Sequence, residues 1–376
     1  MPSIHMLATI SHAPRLPPTS KIGVWARLRH ALFGSVGNTL LSCVLAFVLG
    51  YGVFLFFDWA VLRAVFSAAG GSAACYPPLP SAEVGAGAEK IGACWAVIGE
   101  KYRPILFGRY PYAEQWRPLL CSLALLAMLL FSTRPRSSYR ALLGAWVGLL
   151  SLLYLLMSGG VFGLLPVETA LWGGVPLTLL LTLGGIFGAF PLAILLALGR
   201  QAKHRLLRRL CTAYIELVRA VPLVSMLFLA TFLLPWLLPE NWRIDVLLRV
   251  LCGIVLFVAA YLAEVIRGGL QAVAKGQFEA AAALGLSAWQ TQSRIVLPQA
   301  FAATLPALMN HCIGLLKESS LVTIVGLYEL TGALSLALSG DPEWRPFYLE
   351  GYLFIAMIYW LLCFSLSRYS ERLARR

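Results

Sequence analysis

Several stretches of this chain are continuously apolar over the roughly 20 residues that a helix needs to cross about 30 Å of hydrocarbon. Thr39 to Ala60, Val175 to Leu198, Leu247 to Val265 and Phe347 to Leu366 are four of them. A backbone placed in hydrocarbon has no water to bond its N–H and C=O groups, so each such run must close its hydrogen bonds within itself, as a helix. Hydrophobic residues make up 59% of the chain, charged residues 12%, and the mean hydropathy is +0.78. That balance lies far from the composition of soluble globular domains. The expected fold class is an all-α integral membrane protein with about eight transmembrane helices.

The net charge of +13 comes from short basic clusters at the ends of apolar runs, a pattern that orients helices in a membrane and does not track nucleic acid. The bilayer is therefore an expected partner and nucleic acid is not. Residues 1–37 hold Arg15, Lys21, Arg27 and Arg29 and no acid, and read as a cytoplasmic tail. The run from Thr39 is too long and too far in to be a cleavable signal. A first span, Thr39 to Ala60, leads to a polar outer loop over 61–117. Pro118 to Phe131 and Ala141 to Met157 are two further spans, and Arg134, Arg136 and Arg140 between them mark an inside turn. Residues 38–171 thus hold three spans. Residues 172–376 form a second unit of five. Val175 to Leu198 empties into Arg200, Lys203, Arg205, Arg208 and Arg209, and so ends in the cytoplasm. Val221 to Leu238, Leu247 to Val265, Ala302 to Val325 and Phe347 to Leu366 follow, and the last ends at Arg368, Arg372, Arg375 and Arg376. Both termini are expected inside.

Cys43, Cys121, Cys211, Cys252, Cys312 and Cys363 lie in or beside apolar runs, where a thiol behaves as a small hydrophobe. Cys75 and Cys94 share the outer loop and form a disulfide candidate, closing a loop of about 20 residues worth roughly 3 kcal/mol. No Cys-x-x-Cys or Cys/His cluster suggests a metal site. His5, His12, His30, His204 and His311 are dispersed, and no intramembrane catalytic set is visible, so no catalytic residue is expected. A Gly-x4-Gly-Lys-Ser/Thr phosphate loop is also missing from the sequence.

One polar, alanine-rich insert at about 275–300 interrupts the second unit on the expected cytoplasmic side. Glu279 to Ala283 favours helix, Gly285 permits a turn that a Cβ would resist, and Ser287 suits the cap of a second short helix. Pro298 is expected to break that helix before the next span. Among the charges near the membrane, Glu264 and Arg267 are three apart and share a helix face, so each neutralises the other. Lys317 and Glu318, followed by Ser319, point in different directions and each requires another partner. These five are candidates for a translocation path or gate, although pairing between helices explains the charged ones as well. Glu216 and Arg219 read as a structural pair, and Pro191 and Pro235 as kinks.

Glu279, Ala280, Ala281, Gly285, Ile295, Leu297 and Pro298 match the EAA loop, EAA-x3-G-x9-I-x-LP. The segments Tyr214-Ile-Glu-Leu-Val-Arg-Ala-Val-Pro, Ala260-Tyr-Leu-Ala-Glu-Val-Ile-Arg-Gly-Gly and Leu316-Lys-Glu-Ser-Ser-Leu-Val resemble polar amino acid permeases of the ABC importer superfamily. The added N-terminal spans and the cysteine-bearing loop resemble the M-type permease of general L-amino acid importers. Ala220-Val221-Pro222 departs from the family's frequent Gly-Thr-Pro. The resemblance implies a C-terminal five-helix ABC importer permease core. It also implies that the EAA residues dock on ABC ATPase subunits, which carry the ATP and Mg while this chain binds no cofactor. A second homologous permease, a periplasmic amino-acid-binding protein and an L-amino acid substrate complete the implied system, in the inner membrane of a Gram-negative bacterium. The competing reading is a secondary amino acid transporter driven by an ion gradient, but no self-similar halves are visible. A membrane enzyme or a passive channel is less well supported still.

If Cys75 and Cys94 are bridged, alkylation of intact cells leaves both unlabelled until a reductant is added. Labelling of both without reductant would remove the bridge.

Overall fold

The computed structural model describes residues 23–67, 71–76, 92–132, 139–161, 163–239, 241–242 and 244–374. Arg15, Lys21, Arg134, Arg136, Arg375 and Arg376, which helped to set the expected orientation, lie outside them. The chain divides into two compact units, Met1–Val65 with Cys75–Ala93, and Phe66–Ala74 with Cys94–Arg376.

In the first unit, helix α1 (Val24–Phe33) turns into α2 (Val36–Phe57), which continues as a π-helical turn over Asp58–Leu62. The region read as a solvated tail therefore ends in a helix. Ser35 caps α2 by accepting from the Asn38 N–H at 3.1 Å. Asn38 Nδ2 and Ser42 Oγ in turn donate to the Ala31 and Leu32 carbonyls, which the end of α1 leaves free.

Among its described residues the regular structure of the second unit is helical, apart from the two-residue strand Tyr328–Glu329 that bridges to Gly173 and Gly174. Its helices are α3 (Ala96–Phe107), α4 (Trp116–Phe131), α5 (Tyr139–Ser158), α6 (Gly174–Arg200), α7 (Arg205–Ala220), α8 (Leu223–Phe228), α9 (Leu234–Leu237), α10 (Val246–Ala272), α11 (Lys275–Ala283), α12 (Ala288–Thr291), α13 (Leu297–Glu318), α14 (Leu330–Ser339) and α15 (Tyr348–Ala374). Cys75 and Cys94 are disulfide-bonded and the other six cysteines are free.

The centre of this unit is the crossing of α6 and α10. Gly185, Ala189, Ala193 and Ala197 repeat every fourth residue and so form one stripe along α6, and all four are buried. A Cβ on Gly185 would come within 2.7 Å of Ile254 Cγ2, and one on Gly188 within 2.8 Å of Val255 Cγ2. Small residues let the two backbones approach closely, which is the main source of packing energy where no water drives helices together. Gly269 does the same at the other end of α10, where a Cβ would lie 2.6 Å from the Ala300 carbonyl of α13.

By length and composition six helical segments of the described residues can cross a membrane, or seven if a bent pair counts as one span. The sequence reading of about eight differs in two places. Val221 to Leu238 is one arm of that pair: α7 and Leu223–Leu237 meet at 106°, because Pro222 holds an extended backbone with ψ 146° between them. Ala302 to Val325 is helical as α13 and then a 3-10 turn, Ser319–Val325, but α13 is not among the six. It carries Asn310, His311, Lys317 and Glu318, so it is less apolar than its neighbours.

Both π-helical turns among the described residues of this unit precede a proline. Leu229–Leu233 leads to Pro235, and Gln292–Val296 leads to Pro298. Proline offers no N–H to the carbonyl four residues back, and a wider turn absorbs the missing bond. At Pro235 the orphan carbonyl is that of Thr231, and Arg249 of α10 donates to it. Pro298 therefore does not break the helix as expected; α12 runs through the π turn into α13.

Helix α14 has 10 residues, too few to span a bilayer. Its N-cap is Glu329, fully buried, whose Oε1 accepts from the Thr331 and Gly332 N–H groups at 2.8 and 3.0 Å. Tyr359 of α15 donates to Oε2 at 2.6 Å. On the other side, α3 is fastened by Lys101 Nζ to Asp341 at 2.7 Å and by the Cys94 N–H to Glu350 at 3.0 Å.

The hydrogen bond from Lys101 holds the Asp341 carboxyl below its ordinary range, with the Glu343 and Trp344 N–H groups adding to the effect. A carboxyl lowered on folding contributes stability that is complete above its unfolded value and is lost as pH falls through the folded one. Protease nicking within α3 should therefore rise on acidification below the ordinary carboxylate range. Asp341→Asn should raise nicking at neutral pH and flatten that dependence; an unchanged acid limb in the variant would show that other carboxyls set it.

Candidate functional site

The alanine-rich insert folds as two short helices around a left-handed residue. Helix α11 ends in a Schellman arrangement: the Leu286 N–H donates to the Ala281 carbonyl at 3.1 Å and the Gly285 N–H to Ala282 at 3.0 Å. Gly285 has φ +68°, a conformation that costs a residue with Cβ about 1 kcal/mol or more. Ser287 then opens α12 with a reciprocal capping box to Gln290, at 3.3 and 2.9 Å. Gln299 of α13 closes the loop by donating to Gln277 Oε1 at 3.3 Å and to the Ile295 carbonyl at 2.9 Å.

Within this loop Ala281 is buried, Ala280 is exposed, and Ile295 and Leu297 are half-buried. They fix the loop to the bundle, with Val296 and Ala300 fully buried behind it. Pro298 is exposed. Glu279 is exposed and its carboxylate has no hydrogen bond or ion pair among the described residues. Leu284 and Trp289 stand 77% and 70% exposed, so the loop presents an acid and two large apolar groups outward on a stiff frame.

A charge cluster lies on α10, about 12 Å along the helix from its junction with α11. Arg267 Nε donates to Glu264 Oε2 at 3.0 Å, the pairing expected from their spacing. Arg200 at the end of α6 joins it, with NH1 2.8 Å from Glu264 Oε2 and NH2 2.7 Å from Glu216 Oε1 of α7. Arg219 NH1 is 3.9 Å from Glu264, and its guanidinium lies over the Tyr261 ring at 5.7 Å. The expected Glu216–Arg219 pair is not formed. Glu216 turns to Arg200 instead, because the end of α6 brings in a guanidinium that can bridge both carboxylates. Two acids and three arginines thus tie α6, α7 and α10 together.

The remaining candidates separate. Lys317 and Glu318 end α13 exposed, with no ion pair among the described residues. Ser319 is buried and donates to the Leu316 carbonyl at 2.8 Å. None of the three belongs to the cluster around Glu264. Sequence reasoning did not foresee the bridging role of Arg200, the link from Arg249 to α8–α9, or the burial of Glu329. Only Arg200 left a signal, as the first basic residue after an apolar run.

The family described as the binding-protein-dependent transport system inner membrane component matches residues 189–376. The inner membrane amino-acid ABC transporter permease protein YhdY of Escherichia coli K12 is 40% identical over 374 residues, covering 98% of this chain and 96% of that one. The glutamate/glutamine/aspartate/asparagine transport system permease protein BztC of Rhodobacter capsulatus is 34% identical, over 97% of this chain and 96% of its own. Among solved structures, one titled as an amino acid ABC transporter with histidines is 30% identical over 53% of this chain and 90% of its own, with a TM-score of 0.46. An all-α, multi-pass inner membrane transport subunit is the class that fold and relatives define. The chain belongs to the binding-protein-dependent transport system inner membrane components, as a permease of the amino-acid ABC transporter kind.

Exchanging Glu264 for Gln leaves Arg200 and Arg267 facing each other without their shared anion. Thermal unfolding of the detergent-solubilised protein should show Glu264→Gln as more damaging than Arg267→Gln. The double variant should be less damaged than the sum, with a coupling of about 0.5–2 kcal/mol for partly exposed groups in one network. Strict additivity would refute the pairing.

Proposed function

We propose that this chain is one half of the pore of an importer for L-amino acids, switching between inward-facing and outward-facing states as ATP is hydrolysed on a separate subunit. The observation that carries this reading is the loop of Glu279: an unpartnered acid, Leu284 and Trp289 held outward by a Schellman turn and a capping box. A flexible loop would absorb a push; two capped helices locked to α13 through Gln299 pass it on. On this reading the ATPase grips α11 and α12. Its motion reaches α10 at the junction after Ala272, and through the Glu264 cluster reaches α6 and α7 as well.

The loop, and with it both termini, then lies on the cytoplasmic side of the inner membrane of a Gram-negative bacterium. The Arg200 to Arg209 stretch supports that side. ATP and Mg belong to the partner ATPase, and this chain holds no cofactor. A periplasmic amino-acid-binding protein delivers substrate to the opposite mouth, and a second homologous permease completes the pore. The relative BztC, named for transport of glutamate, glutamine, aspartate and asparagine, supports polar amino acids as substrates. Glu264, Arg267, Lys317, Glu318 and Ser319 are the candidate path residues. Lys317 and Glu318 keep that role best, because their charges are exposed and unpaired, whereas Glu264 and Arg267 are occupied with each other.

Co-purification with the ATPase tests the proposal. The native chain should retain it, and a Glu279→Lys, Gly285→Pro variant that still inserts in the membrane should lose it. If no ATPase accompanies either chain, an ion-driven carrier becomes the better reading.

A further inference from the structure

Helix α7 carries three distinct faces. Projected at 100° per residue, Cys211, Tyr214, Ile215 and Val218 fall together and face the bundle. Ile215 and Val218 are buried, the Tyr214 hydroxyl donates to the Leu256 carbonyl of α10 at 2.8 Å, and a Cβ on Gly199 of α6 would collide with Cys211 Sγ. Leu206, Leu210 and Leu217 fall on a second strip and are 60%, 59% and 69% exposed. Arg205, Arg208 and Arg209 fall on a third. All three are exposed, and none has an ion pair or hydrogen bond from its side chain among the described residues. The acid on that face, Glu216, is already held by Arg200.

The orientation of the helix follows from its partner arm. Leu223–Leu237 is apolar and α7 meets it at 106°, so an arm that runs into the membrane leaves α7 lying close to the membrane plane. A helix in that plane with leucines along one edge and arginines along the next matches the interface between acyl chains and headgroups. The leucines suit the acyl region, and the arginines, which protein acids do not neutralise, suit phosphate.

We propose that α7 is an interfacial helix that binds anionic phospholipid, with Arg205, Arg208 and Arg209 on the headgroup phosphates and Leu206, Leu210 and Leu217 among the acyl chains. Because α7 also carries Glu216 and Arg219 of the charge cluster, the lipid fixes the position of a helix that packs on α6 and α10. Only the assignment to the cytoplasmic leaflet depends on the orientation proposed above.

The full chain reconstituted in phosphatidylcholine vesicles, with a trace of spin-labelled phosphatidylglycerol or spin-labelled phosphatidylcholine, supplies the test. The motionally restricted fraction of each label gives the lipid preference. The native protein should prefer phosphatidylglycerol at low salt, and that preference should weaken as salt screens the charges. An R205Q/R208Q/R209Q variant should lose the preference by more than tenfold, at about fivefold per arginine. Should the triple variant fail to insert, R208Q alone decides, with an expected loss of about fivefold. A native protein without preference, or a variant that keeps it, overturns the proposal. So does a variant that loses the ATPase in co-purification while its lipid preference is unchanged, since the arginines would then serve a protein partner. Loss of lipid preference with the ATPase retained supports it, and does so whether or not the importer reading holds.

Discussion

A backbone group in hydrocarbon must find its hydrogen bond within the protein, because an unsatisfied one costs several kcal/mol. That demand makes the chain helical, and it also explains three side chains found where helices end or depart from regularity. At the π turn before Pro235 a guanidinium from α10 reaches the Thr231 carbonyl. Where the short helix α14 begins inside the protein, a fully buried carboxylate caps two of its N–H groups and accepts from a tyrosine of α15. Arg117, also fully buried, donates to the Leu156 and Leu165 carbonyls at 2.7 and 2.9 Å near the end of α5. Each of these ionisable residues serves backbone that no helix could satisfy.

With backbone bonds closed inside each helix, association rests on close approach, and the glycine and alanine stripe of α6 permits it. The α6–α10 crossing then fixes where the ends of both helices fall. Arg200 ends α6 beside Glu264 of α10, and α10 leads within two residues into α11. The charge cluster and the outward-facing loop therefore lie on one continuous set of packed helices, with small residues holding its middle and ion pairs holding one end.

Much of this was readable from local spacing. The α11–α12 hairpin, with Gly285 in the left-handed region and Ser287 as a cap, follows from residue chemistry over a dozen positions. So does the Glu264–Arg267 contact, which depends only on the helical repeat. The Glu216–Arg219 pair had the same spacing and did not form, because Arg200 lies 16 residues away from Glu216 in sequence yet bridges it to Glu264. Pro298 looked like a helix breaker, and a π turn carried the helix past it. Pairing over long separations is settled by which helix lies alongside, and a proline by whether a wider turn can absorb its missing bond.

The sequence by itself determined the helical membrane class, the basic ends of the apolar runs and the α11–α12 hairpin, since each follows from hydropathy, charge or capping within a few turns of chain. Only the tertiary structure decided that Glu329 is a buried cap, that Arg249 serves an orphan carbonyl and that α7 turns through 106° from the arm that follows it. Those features depend on partners brought together by packing, and an apolar helix carries no record in its own residues of which neighbour it will meet.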